Sequence, residues 1–103
     1  MYYIIAVLYY NIKVAIRWTD SAAKHGIDQA DALFAMQNFV YRIEKFDEPR
    51  IEGGQRPDLF IGPPRNRQAM LEVMAIITPP ADIVIFHVME ARRKIIDIAE
   101  ERQ

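Results

Sequence analysis

Three apolar runs in the second half of the chain, set apart from one another by proline-bearing turns, commit it to a fold built on a sheet. Leu59-Phe60-Ile61 is a short strand ended by Gly62-Pro63-Pro64, and Arg65 to Gln68 makes the next turn. Met70 to Thr78 is a strand with Leu71, Val73 and Ala75 on one side. Pro79, Pro80, Ala81 and Asp82 then turn the chain into Ile83 to Val88, apolar but for His87 and the most buried-looking strand of all. Proline lacks a backbone donor and fixes its own φ, so such residues separate strands.

Upstream, Ile12, Val14 and Ile16 alternate with Lys13, Ala15 and Arg17, the period of a half-buried strand that Trp18 continues and Thr19-Asp20-Ser21 stops. Asp20 or Ser21 caps a short helix through Ala22, Ala23, Lys24 and His25, and Gly26 ends it in a left-handed conformation. Asp28 opens a second helix, with Asp31 in its first turn and Ala30, Leu33, Phe34 and Gln37 on one face beside Met36. Phe39 to Phe46 alternates again, and Asp47 to Asp58 is an exposed loop containing Pro49, Gly53, Gly54 and Pro57. A last helix carries the stripe Ala91, Ile95, Ile98 and Ala99. The order predicts an α+β domain: an antiparallel sheet of four to five strands with N-terminal helices and a C-terminal helix. Residues 1–11 read either as an N-terminal strand or as an extension, ahead of a core over 12–101.

The 103 residues suit one domain, and 51% apolar with 26% charged residues suits a packed core. The opening apolar run breaks at Asn11 and Lys13, short of the roughly 20 residues of a membrane span. No membrane partner is expected, and the absence of cysteine fits a reducing cytoplasm. The same absence excludes thiolate zinc sites and a cysteine nucleophile. Two histidines among unpatterned acids predict no metal, and no phosphate loop or dinucleotide fingerprint calls for a cofactor. With a net charge of -1, any hold on RNA has to come from a local basic cluster.

One such cluster runs from Phe86 to Lys94. It places the His87 imidazole at the end of a strand and Arg92, Arg93 and Lys94 at the start of a helix, where acids are the usual residents. Imidazole exchanges protons near neutrality, and guanidinium holds phosphate and offsets charge in an in-line displacement. Those are the needs of RNA cleavage by the 2′-hydroxyl. The other account of the same residues is a hydrogen-bonded core histidine and a solvated basic turn, its cations paired with Glu90 and Asp97. Lys24 and His25 either complete a helix end or supply a second proton-transfer group. Arg50, Arg56, Arg65 and Arg67 form a basic loop rim for RNA, with Tyr41 or Phe60 for stacking, or plain surface balanced by Glu48, Glu52 and Asp58. Glu72, a lone acid between Leu71 and Val73, serves as a general base or faces water.

Taken in order, these residues carry a resemblance. Lys24-His25-Gly26-Ile27, the acidic helix through Ala32-Leu33-Phe34, Arg56 before Leu59 to Gly62, and a terminal strand leading into Ala91-Arg92 resemble the BrnT toxins over roughly Ile12 to Glu101. That resemblance implies a RelE-like α+β fold and a metal-independent endoribonuclease of a bacterial or phage toxin–antitoxin pair. Such a toxin blocks translation by cleaving RNA, possible ribosome-bound mRNA included, and is neutralised by a cognate antitoxin protein. It supports Lys24, His25, Arg56, Ala91 and Arg92 by position. His87 and Glu90 stand where the family has an arginine and a serine, and Glu90 there would repel a phosphate. The expected centre is then His87 and Arg92 assisted by Lys24 or His25, with Arg56, Arg65, Arg67, Arg93 and Lys94 toward RNA. The rival expectation is a non-catalytic interaction protein on the same scaffold, pairing with a partner or forming a homodimer through its N-terminal strand.

Overall fold

A computed structural model describes residues 2–7, 12–79 and 82–103. Its elements are β1 (Tyr2–Val7), β2 (Ile12–Trp18), α1 (Asp20–Ala23), α2 (Gln29–Gln37), β3 (Tyr41–Ile43), β4 (Asp58–Gly62), β5 (Leu71–Thr78), β6 (Asp82–Glu90) and α3 (Arg93–Glu101). The chain is α+β, with one six-stranded sheet in the order β1-β2-β6-β5-β4-β3. Neighbours are antiparallel except β2 and β6, which run parallel with Ile16 opposite Ile83 and Trp18 opposite Ile85. The sheet is thus mixed and larger than the antiparallel four to five strands expected. A short turn forces its two strands antiparallel, whereas β2 and β6 are far apart in sequence and free to align. Part of the expected turn (Pro80, Ala81), Met1 and residues 8–11 lie outside the described residues. Among the described residues, no helix is long and apolar enough to cross a membrane.

The sheet separates two cores. Trp18, Ala22, Ala32, Ala35, Phe60, Leu71, Val73 and Val88 pack on the α1–α2 face. Ile43, Leu59, Ile61, Met74, Phe86, Ile95 and Ala99 pack on the α3 face. Alternation along β4 and β5 sends Phe60, Leu71, Val73 and Ala75 one way and Leu59, Ile61 and Met74 the other.

Three local expectations need correcting. The buried residues of α2 are Ala32, Ala35 and Met36 rather than a stripe of Leu33, Phe34 and Gln37. Small residues win there because β4 approaches closely: a methyl group at Gly62 would overlap the Ala35 carbonyl oxygen. Gly62→Ala is therefore expected to destabilise the protein by about 2 kcal/mol, read from urea denaturation. Unchanged stability would show that the contact can open at no cost. Second, α1 is capped by Thr19, whose Oγ1 accepts from the Ala22 amide at 3.3 Å, and not by Asp20 or Ser21. Ser21 instead donates its hydroxyl to the Phe86 carbonyl. Third, the strand expected from Phe39 to Phe46 shrinks to Tyr41–Ile43, because Lys45 turns the backbone to a φ of 52°. Other local features match the sequence: Gly26 has a φ of 70°, and Asp28 caps α2 by accepting from the Ala30 amide at 2.7 Å.

One irregularity positions everything that follows. Met74 pairs with His87 and Ala75 with Ile85, so Phe86 is an extra residue in β6. In an unbroken strand, side chains two apart share a face. The bulge resets that alternation, so Ile85 and Val88 both reach the α1–α2 core while Phe86 packs into the α3-side core. His87 consequently points to the α3 face, beside Glu72.

Candidate functional site

Glu72, on β5, is fully buried. It neither faces water nor is exposed as a free base. Its Oε1 receives His87 Nε2 at 2.8 Å, Arg92 Nη2 at 2.7 Å and Arg92 Nε at 3.0 Å. Its Oε2 accepts from the Arg92 backbone amide at 2.9 Å. Burial pushes the carboxyl upward, but the hydrogen bonds from His87 and Arg92 and the adjacent guanidinium outweigh it and hold the carboxyl at about 2. Arg92 is the N-cap of α3, which has no side-chain cap bond of its own and no acid in its first turn. The anion anticipated at this helix start is supplied from within, by Glu72.

An ionised carboxylate only accepts hydrogen bonds, so Glu72 keeps a proton of His87 on Nε2, and in the neutral ring the lone pair is on Nδ1. The His87 side chain is 23% exposed and that of Arg92 38%, while Glu72 beneath them is sealed. Both open into a cleft of about 440 Å³. Its floor is Met74, Phe86 and Met89, and its walls include Ser21, Lys24, His25, Asp47 and Arg50. Strand β2 has ended at Trp18, so α1 flanks the C-terminal half of β6 and brings its last turn over the sheet. The His25 and His87 rings meet edge to face there, with centroids 6.2 Å apart.

His87, Arg92, Lys24 and His25 thus line one cleft. The expected RNA-binding arginines do not. Arg65 lies against α2, its Nε bonded to Asp31 at 2.8 Å and its Nη2 3.5 Å from Asp28. Arg67 stacks over the Phe34 ring of the same helix, 5.2 Å from its centroid. Arg56 spends its Nε on the Asp47 carbonyl at 3.0 Å, bracing the loop from within. Arg93 lies on the exposed side of α3, 3.9 Å from Asp97, and Lys94 is exposed beside it. Arg65 and Arg67 were expected on a common rim because loops leave no record of which sheet face they reach. Glu90 also departs from expectation: it lines a shallow hollow with Asp28 and Asp31 on the other face, away from the cleft. The residue whose weight the sequence understated is Glu72. Its one signal was an acid set among apolar strand residues.

A cleft holding two imidazoles, two arginines and a lysine can move protons and hold a phosphate, with one imidazole fixed in orientation by a buried carboxylate. Among the described residues, no group of three or more histidines and acids could hold a metal ion. No protein-family model, curated protein or solved structure matches the chain.

Proposed function

We propose that this protein is a toxin-like, metal-independent endoribonuclease of the BrnT kind, held in check by a cognate antitoxin. The observation that carries the reading is the pair of imidazoles 6.2 Å apart, one of them clamped to the carboxylate that also holds Arg92. In the reaction, His87 Nδ1 takes the proton of a ribose 2′-hydroxyl, and the 2′-oxygen attacks the adjoining phosphorus. The bond from phosphorus to the 5′-oxygen breaks, and that oxygen takes a proton from His25 or Lys24. Arg92 retains donors beyond those given to Glu72 and offsets the charge building on the phosphoryl oxygens. The products are a 2′,3′-cyclic phosphate and a 5′-hydroxyl.

The purified chain is expected to cleave single-stranded RNA in the presence of a chelator, leaving cyclic-phosphate ends. Its induction in bacteria is expected to arrest growth, and Arg92→Ala to relieve the arrest. Intact RNA over prolonged incubation, together with normal growth, would reject the reading. That result would favour a non-catalytic interaction domain, for which β1 speaks: it forms an edge of the sheet, and no described strand pairs with its outer side.

A further inference from the structure

A second cleft of about 490 Å³ adjoins the first, sharing Ser21, Arg50 and Phe86 with it. We infer that this second cleft holds a nucleobase next to the scissile phosphate, stacked on the Arg50 guanidinium; the inference rests on the nuclease reading of the first cleft.

The two hollows differ in chemistry. The first gathers proton-transfer and phosphate-binding groups. The second is floored by Ile76, Val84 and Phe86 of β5 and β6. Its charged lining is Arg17 and Arg50, with no acid among its described residues. An apolar floor under cationic groups suits a flat aromatic ring tethered to a phosphate, and it suits an acidic or purely apolar ligand poorly. Arg50 lies over the Phe86 ring, its Cζ 4.6 Å from the centroid, so the guanidinium sits at the junction of the two clefts. A base drawn out of a single strand stacks on a guanidinium plane as it does on an aromatic ring.

The wall carrying Arg50 is fixed. Gln55 Nε2 donates to the Ile77 carbonyl at 2.7 Å, and Gln55 Oε1 accepts from the Thr78 hydroxyl at 3.3 Å, pinning the loop to the end of β5. Gln55 keeps one N–H and Thr78 an acceptor lone pair toward the cleft rim, groups suited to the edge of a base. Ile51, beside Arg50, is 76% exposed, an apolar side chain without cover at the mouth of this cleft.

The test is titration of the full chain with the four nucleoside 3′-monophosphates and with inorganic phosphate, followed by backbone amide NMR shifts. At least one nucleotide is expected to bind about tenfold or more tightly than phosphate. It should shift the amides of Ile51, Thr78 and Val84 as well as those near His87. Arg50→Ala is expected to abolish that advantage, and Ile51→Ser, which lies outside the first cleft, to reduce it with phosphate binding unchanged. Nucleotides and phosphate binding alike, with shifts confined to the first cleft, would overturn the subsite and leave the nuclease reading standing. Base-dependent binding by a chain that cleaves no RNA would sustain the subsite and reject the nuclease. No binding by any of the five ligands overturns the inference.

Discussion

Glu72→Ala is expected to lower the stability of this protein by about 3 kcal/mol or more, a large share of what holds a domain of this size folded. The substitution removes the hydrogen-bond partner of the His87 ring, of the Arg92 guanidinium and of one backbone amide at once. His87 and Arg92 retain some contact with water, which places the effect toward the lower end of that for an orphaned buried ion pair. The same group gives the fold an acid limit. Its carboxyl is held at about 2 against an ordinary 4.5, a difference on the order of 3 kcal/mol. Above 4.5 the group is ionised in both folded and unfolded chains, and its full contribution is present. As the pH falls from there toward 2, the unfolded chain takes up a proton that the folded chain refuses, and the contribution is lost. Urea denaturation at neutral pH and across that window measures both effects. In Glu72→Gln the neutral-pH stability should fall, and the loss between those two pH values should shrink by the part this carboxyl supplies. An acid response identical to that of the parent chain would mean that the carboxylate is not the titrating group.

What the sequence made legible were features set by near neighbours. Pro63, Pro64 and Pro79 mark strand ends because a missing donor acts locally, and Asp28 and Gly26 declare a cap and a left-handed turn for the same kind of reason. The nearness of His87 and Arg92 was also legible, since a strand end and the helix after it must share a neighbourhood, whereas nothing local ties Lys24 and His25 to them. Glu72 was harder. Its burial depends on where α3 begins and on the extra residue Phe86, which turns His87 onto the same face, and neither depends on residues adjacent to Glu72 in sequence. The parallel pairing of β2 with β6 and the capture of Arg65 by Asp31 are contacts of the same distant kind. Net charge says nothing of how the charges are distributed. A total of -1 concealed a cleft lined by Lys24, Arg50 and Arg92 with Asp47 as the one acid among its described lining residues, because the other acids considered, Glu90 and Asp31 among them, lie elsewhere.

The buried carboxylate also separates a structural histidine from a working one. His87→Gln is expected to reduce RNA cleavage by about a thousandfold while leaving the fold close to the parent, because a glutamine amide can donate to Glu72 but cannot carry a proton away from a hydroxyl. Stability of the variant and its cleavage rate, measured together, decide between the two roles. A rate above a tenth of the parent's in a folded His87→Gln protein would reduce His87 to a hydrogen-bond donor for Glu72. His25 makes a different demand, since it is exposed and its proposed role, shared as an alternative with Lys24, is to protonate the departing 5′-oxygen. A phenolate leaves without a proton, so on an aryl ester of a nucleoside 3′-phosphate the defect of His25→Ala should nearly vanish, whereas on RNA it should remain large. The defect of His87→Gln should persist on both substrates, because the 2′-hydroxyl must lose its proton in either case. Equal losses for His25→Ala on the two substrates would move the acid role to Lys24, its neighbour on the cleft wall.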